Sequence, residues 1–334
     1  MANKSFSEIK VGLIARADLS GLGFQCKALY DLLKPHKTII IDSTPLNGRE
    51  QNFDWYPTGI VNNGLLTHNR MARFLTDIDV LITCEVPYSD NLYHFCRRRG
   101  IKTILQPNAE LNPHILNKQL PLPDVFFMPS PWLEDETRSV GVPCYLVKPP
   151  IVQPRNPRPV AYKHKGQLKV LHFGGRRAAH DRNGTEIVRS LPEIDGVHID
   201  IHDQIENEVK DQRDLYEQGH HVILIPRRYG GLCLPMLESL SYELPVIMPN
   251  IEPNRQELPA EWLTTASRGQ MIRTKHRIET YNPDPQSIVW MLEKFRDMNQ
   301  EEYNHERNKA KMLYNSHQEQ LSNWQTYIEK VVNS

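Results

Sequence analysis

Short apolar runs alternate with stretches of helical spacing through the first half of the chain. Residues 11–15 (VGLIA) read as a buried strand, and apolar positions recur at helical spacing over 22–33. KTIIID is a second strand. A helix over 71–79 leads into a third, VLITCE, which ends at Glu85. NLYHFCRRRG is a helix stopped by Gly100, and KTILQPNAE is a fourth strand ending near Asn108. DVFFMPS is the fifth, a helix follows around 132–139, and CYLVKPP is the sixth. Apolar strands interleaved with helices in this way predict a parallel, doubly wound sheet.

Residues 149–168 break the rhythm with five prolines and many basic side chains. That composition suits a linker, or a rigid crossover with no ligand role. The pattern then restarts. LKVLHFGG, VHIDIHD, HVILIP and LPVIM are strands; NGTEIVRSLPEI, EVKDQRDLYEQG and residues 232–242 are helices. From about residue 287 the tail is helical and charged. The expected organisation is an acceptor-side domain over 1–150, a linker over 151–167, and a nucleotide-binding domain over 168–310. A C-terminal helix over 311–334 would pack back on the first domain. Two such domains would face each other across a cleft, with the strand carboxyl ends of both turned toward it.

A length of 334 residues suits two domains with real cores. Forty basic residues balance forty acidic ones, so the chain as a whole is no polyanion binder. Local clusters remain at Arg97–Arg99, Arg176-Arg177 and Arg227-Arg228. Five scattered cysteines without a CxxC pair argue against a disulfide framework or zinc site. No secretory leader and no apolar run of about 18 residues is evident, so a cytoplasmic setting is expected, the host's if the protein is viral.

Ligands of open parallel sheets gather outside the strand carboxyl ends, beside helix N-termini that attract phosphate. Four segments fall there. In ARADLSGLGFQ, Gly21 and Gly23 would let a ligand approach, although a plain tight turn explains them equally well; Cys26 replaces the third glycine of a dinucleotide fingerprint. In HFGGRRAAHDRNGTE, a strand end is followed by Gly175, Arg176, Arg177, His180, Arg182 and Asn183-Gly184, cations suited to a diphosphate leaving group or else a solvated basic loop. In HHVILIPRRYGGLCLPMLESLSYELPVIMPN, Arg227, Arg228, Gly230, Gly231 and Leu232 lie between a strand and a helix. Glu238 in that helix offers a carboxylate to ribose hydroxyls. Glu85, Asn108 and Glu110 end strands of the first half and are candidates for the acceptor side, or for loop caps. Asp77-Ile78-Asp79 matches a DxD metal motif by its letters but stands at the wrong end of the sheet.

With these segments assembled, the chain resembles the GT-B glycosyltransferases, in particular the family-4-like retaining enzymes. The likeness is strongest over 170–258. The runs HDRNGTE and RRYGGLCLP further resemble a subgroup common in phages and actinobacteria. The resemblance implies an α/β GT-B fold of two Rossmann-like domains and transfer of a sugar from a UDP- or GDP-sugar with retained configuration. It implies neither a metal nor another cofactor. Gly175-Arg176 matches the family's first diphosphate pair. Asn183-Gly184 takes the place of its Lys-Gly pair, with Arg182 supplying the charge. Glu238 matches the second of two family glutamates, implied to bind ribose, while the first falls at Gly230. Arg227 or Arg228 and backbone amides would read the sugar instead. Glu85 or Asn108 stands near the family's active-site histidine. The acceptor stays open among a hydroxymethylated DNA base, a glycan and a protein. A sugar-nucleotide epimerase of the same fold, or a non-catalytic nucleotide-sugar binder, are the competing readings.

Overall fold

The computed structural model describes residues 3–44, 50–63, 66–108, 122–155, 162–174, 181–202, 209, 211–273 and 277–334. It divides into two compact units, one of Met1–Val152 with Gln318–Ser334 and one of Gln153–His317.

The first unit holds a seven-stranded parallel sheet. Its strands are β1 (Val11–Arg16), β2 (Lys37–Asp42), β3 (Ile60–Asn63), β4 (Val80–Cys84), β5 (Lys102–Gln106), β6 (Val125–Met128) and β7 (Cys144–Leu146). They lie in the order β3-β2-β1-β4-β5-β6-β7. Leu13, Ile14, Val80, Leu81, Ile82 and Ile104 are sealed from solvent, as a parallel sheet covered on both faces requires. The helices α1 (Gly21–Leu33), α2 (His68–Phe74), α3 (Leu92–Arg97) and α4 (Glu134–Arg138) connect them. One strand more is present than the apolar runs predict. In β3 the buried residue is Asn62, bonded by Arg70 at 2.7 Å, while Ile60 and Val61 face outward.

The second unit has a five-stranded parallel sheet, β12-β11-β10-β8-β9. It comprises β8 (Leu168–Phe173), β9 (Val197–His202), β10 (Val222–Leu224), β11 (Val246–Pro249) and β12 (Leu263–Thr264). A separate antiparallel ribbon joins β13 (Ala266–Arg273) to β14 (Arg277–Pro283). Its residues carry no apolar alternation, and the sequence gives no warning of it. The helices are α5 (Thr185–Arg189), α6 (Arg213–Tyr216), α7 (Leu234–Ser241), α8 (Asn254–Glu257), α9 (Pro285–Asp297) and α10 (Gln300–Gln320). Here α5 and α6 are shorter than their sequence segments suggest.

The last helix, α11 (Asn323–Val332), belongs with the first unit. Trp324, Ile328 and Val331 recur on one face and join that unit's core. The Trp324 indole donates to the Lys148 carbonyl at 2.8 Å, and its ring meets Phe127 at 5.2 Å. Tyr327 stacks on Tyr145 at 4.4 Å. No described helix is long and apolar enough to cross a membrane.

Candidate functional site

Three segments of the second unit meet at the carboxyl ends of β8 and β10. Gly175, Arg176 and Arg177 follow β8 and lie outside the described residues, as does His180. The chain is described again from Asp181. Its carboxylate accepts the backbone N–H groups of Thr185 and Glu186 at 2.8 and 2.9 Å. These α5 amides are therefore occupied by the protein itself, and the anion site expected from them is closed by Asp181. Asn183 turns its side chain inward and donates to the Phe173 carbonyl at 3.1 Å. Gly184 packs against the strand-ending Pro226 so closely that a Cβ would stand 2.9 Å from its ring and nearer still to its carbonyl oxygen. The Arg228 N–H donates to the Arg182 carbonyl at 2.8 Å. The loop after β8 is thus stitched to the loop after β10.

The adjacent arginines of that second loop have different tasks. Arg227 is 4% exposed; its Nε donates to the Tyr229 carbonyl at 2.8 Å and its Nη1 to the Leu232 carbonyl at 2.7 Å. It braces its own loop around Gly231. Arg228 reaches the ribbon: Nε donates to the Tyr281 carbonyl and Nη2 to Asn282 Oδ1, both at 3.1 Å, while the Tyr281 N–H returns a bond to the Arg228 carbonyl at 2.9 Å. Gly230 sits between cations with φ +120°. A Cβ there would stand 2.8 Å from Arg227 Cζ and closer to the Nη2 atoms of both Arg227 and Arg182. A side chain at 230 would require a backbone conformation that residues with a Cβ rarely adopt and would require both guanidinium ends to move. Arg182 also lies 5.5 Å from the Tyr229 ring centroid.

Glu238 is the buried carboxylate of α7, 5% exposed. The Tyr216 hydroxyl donates to Oε2 at 2.7 Å. With its amide turned nitrogen-first, Gln212 donates to Oε1 and Oε2 at 3.1 and 3.3 Å. Burial raises Glu238 to about 7, against the smaller lowering effect of the Tyr216 bond. Neither Tyr216 nor Gln212 was singled out in the sequence, where nothing marks residues more than twenty positions upstream as partners of this glutamate.

In the first unit the glycine pair answers an internal demand. Ser20 caps α1 by accepting the Gly23 N–H at 3.1 Å, and a Cβ on Gly23 would stand 3.0 Å from the Asp18 carbonyl carbon and closer to its oxygen. Gly21 opens the helix. Asp18 is fully buried; it pairs with Arg16 and accepts the hydroxyls of Ser20 and Ser43 at 2.5 and 2.9 Å. Glu85 follows β4 with φ +66°, its N–H bonded to the Gln106 carbonyl at 2.8 Å. Asn108 follows β5 with its Oδ1 buried and unbonded. Glu110 lies outside the described residues.

Other charged segments have structural partners. Asp79 accepts the Lys10 N–H at 2.9 Å and Lys4 Nζ at 2.6 Å. Among the described residues no group of His, Cys, Asp and Glu could hold a metal ion. Two basic residues of the linker are held by the protein itself. Arg155 is shared by Asp211, Asp214 and Glu217 at 2.8, 2.8 and 2.6 Å. Lys163 is buried, donates to the His164 and Arg296 carbonyls at 2.7 Å each, and is pushed down to about 8 by burial.

No protein-family profile and no curated protein sequence matches the chain. Solved structures do match. The lipopolysaccharide outer core galactosyltransferase WaaB, in its apo form, superposes with a TM-score of 0.58 at 12% identity, covering 96% of this chain and 100% of that one. HepE of Anabaena, in complex with UDP, gives 0.58 at 10% identity over 94% and 100%. An alpha-glucosyltransferase in complex with UDP and a 13-mer DNA containing an HMU base gives 0.57 at 11% identity over 98% and 100%. These likenesses establish the fold: two parallel-sheet, Rossmann-like α/β domains of the GT-B type.

Proposed function

Starting from the GT-B fold, we propose that the chain is a retaining glycosyltransferase that moves a sugar from a UDP- or GDP-sugar to a hydroxyl acceptor. One observation carries the reading: Arg182 and Arg227 converge on Gly230 beside the carboxyl ends of β8 and β10. Two guanidinium groups held over one point attract a diphosphate, and most strongly as its charge grows during departure. Arg176, outside the described residues, would join them by family resemblance, and Arg177, also outside them, by its place in the basic run after the strand. Glu238 would accept ribose hydroxyls.

In this reading the C–O bond to the diphosphate breaks while the acceptor oxygen bonds to the same carbon from the same face. The acceptor proton passes to the departing phosphate oxygen. No protein nucleophile is needed, and the charge is borne by arginines, so a chelator leaves turnover unchanged.

For the acceptor, a hydroxymethylated base in DNA is favoured over a glycan or protein. An open cavity of about 660 Å³ in the first unit is lined by His68, His94, Arg97 and Arg98, and its two arginines are cations suited to a phosphate backbone. One neighbour of the same fold was solved with UDP and such a DNA. A DNA acceptor predicts affinity that falls steeply with salt, and a flat salt response removes it.

The primary test is thermal shift against UDP, GDP, UDP-glucose and GDP-mannose. At least one should stabilise the wild type, and Arg182→Ala should abolish that shift. Absence of any shift would sink the reading. Product analysis then separates the alternatives: an epimerase alters the donor with no acceptor present, and a non-catalytic binder never consumes it.

A further inference from the structure

The amino ends of β8, β9 and β10 form the end of the second sheet opposite the cation loops. An open cleft of about 700 Å³ lies there, wholly within the second unit, and no step of the proposed transfer uses it. Part of its lining is a short segment pinned from inside. Lys163 is 1% exposed: its N–H donates to Gln300 Oε1 at 2.7 Å, and its Nζ donates to the His164 and Arg296 carbonyls at 2.7 Å each. His221 holds the preceding residue. Its Nδ1 accepts the Lys169 N–H at 2.9 Å, so its Nε2 carries the proton and donates to the Tyr162 carbonyl at 3.0 Å. The side chains on either side of Lys163 are exposed instead. The Tyr162 ring is 66% exposed, His164 is exposed too, and the two rings meet edge to face at 4.7 Å. Both line the cleft. So little of the tyrosine is buried that it adds little to the core, yet its backbone is fixed from two sides. Lys169 and His198, also in the lining, are direct neighbours across β8 and β9, and Glu193 and Asp195 come from the segment leading into β9.

We propose that this cleft binds a neutral sugar chain, with one sugar ring stacked on Tyr162. The C–H face of a pyranose carries slight positive charge and is attracted to the negative face of an aromatic ring. Sugar hydroxyls both donate and accept, and the lining offers both partners: the Glu193 and Asp195 carboxylates accept, while Lys169 and the Gln167 amide donate. The charge balance selects against anions. Two carboxylates line the cleft against one lysine, and burial lowers the pKa of His221, which keeps that imidazole neutral. A phosphate would meet net repulsion there, whereas a neutral hydroxyl would not. The volume falls in the range of about 300–1,000 Å³ usual for small-molecule sites. The inference goes beyond the nucleotide site and does not depend on it, because the cleft lies at the other end of the sheet and can be probed with no nucleotide present.

The test is saturation-transfer NMR on the full-length, nucleotide-free protein, with maltotriose, cellotriose, mannobiose and galactobiose as probes and titration of each that binds. At least one should receive saturation from the wild type. Tyr162→Ala should weaken that binding about tenfold, the loss of one stacked ring. The same variant should melt with the wild type, because the ring is mostly in solvent and the carbonyl that His221 holds is retained. Arg182→Ala, at the other end of the sheet, should bind the sugar as the wild type does. Silence from every sugar would overturn the proposal. So would undiminished binding by Tyr162→Ala, which would place the sugar elsewhere, or loss of binding in Arg182→Ala, which would place it at the cation loops. Uridine is the counter-probe: saturation of uridine with the sugars silent would make the cleft a base-binding site and refute the sugar assignment. A wild type that binds no UDP would fail the glycosyl-transfer reading and leave each of these outcomes as decisive as before.

Discussion

Replacing Gly230 by alanine is the sharpest test of the cation site. The backbone there has φ +120°, a conformation that costs a residue with a side chain about 1–3 kcal/mol. The added Cβ also overlaps the guanidinium groups of Arg227 and Arg182. Arg227 cannot yield without stretching its bonds to the Tyr229 and Leu232 carbonyls, and a hydrogen bond to a charged group is worth about 1.5–3 kcal/mol. With strain and one weakened Arg227 bond, the loss is about 3 kcal/mol, or roughly 6–12 °C for a unit of this size. Nucleotide affinity should fall by roughly 10–100-fold, since at least one cation is displaced from the anion. The assay is differential scanning fluorimetry with and without UDP, followed by titration calorimetry. Repeating Gly230→Ala in an Arg182→Ala background removes one of the two overlaps. Part of the stability loss should then disappear as a coupling of about 1 kcal/mol. A Gly230→Ala protein that melts like wild type and binds UDP within twofold would refute the convergence as the reason for the glycine.

Three other outcomes follow from the same contacts. Glu238 is held near 7 against 4.5 in the unfolded chain; the neutral acid is favoured in the fold, so its contribution is full below about pH 4.5 and is lost as pH rises through 7. Glu238→Gln should flatten the dependence of melting temperature on pH across that window, by up to about 3 kcal/mol, and an unaltered slope would contradict the burial of the carboxylate. Trp324→Ala should destabilise the first unit by about 3–5 kcal/mol in denaturant melts, because a fully buried indole and its bond to Lys148 are both lost; a mild effect would mean that α11 is dispensable. Arg228→Ala should raise hydrogen exchange of the Tyr281 amide and its neighbours in β14 while leaving β8 and β10 protected, since the ribbon loses its side-chain bonds to the loop.

The sheets were legible where both faces are buried. β4 and β10 announce themselves as apolar runs because every residue in them is buried, and β1 and β8 do so because only Arg16 and Lys169 reach water. β3 was illegible for the opposite reason: its inward position is Asn62, and its isoleucine and valine face out. The ribbon β13–β14 was illegible because it is docked by Arg228 and backbone bonds, with little apolar alternation to read. In the site, strand-end cations could be read from sequence, but their division of labour could not. Arg227 and Arg228 are neighbours in the chain, yet one turns into its own loop and the other leaves for a strand some fifty residues away. Gly23 shows the limit from the other side: its small size serves the Asp18 carbonyl of its own loop.

How an arginine is held decides what its charge is for. Arg155 is shared among three carboxylates, which bind it to the fold and cancel its field; their hydrogen bonds raise its pKa further. Arg227 is fixed at Nε and Nη1 by two backbone carbonyls. Those two bonds fix the orientation of the guanidinium, and its Nη2 lies beside Gly230. On the proposed reading, the glycine, the carbonyl braces and the stitch from Arg228 to the Arg182 carbonyl would each place a guanidinium in advance of a diphosphate.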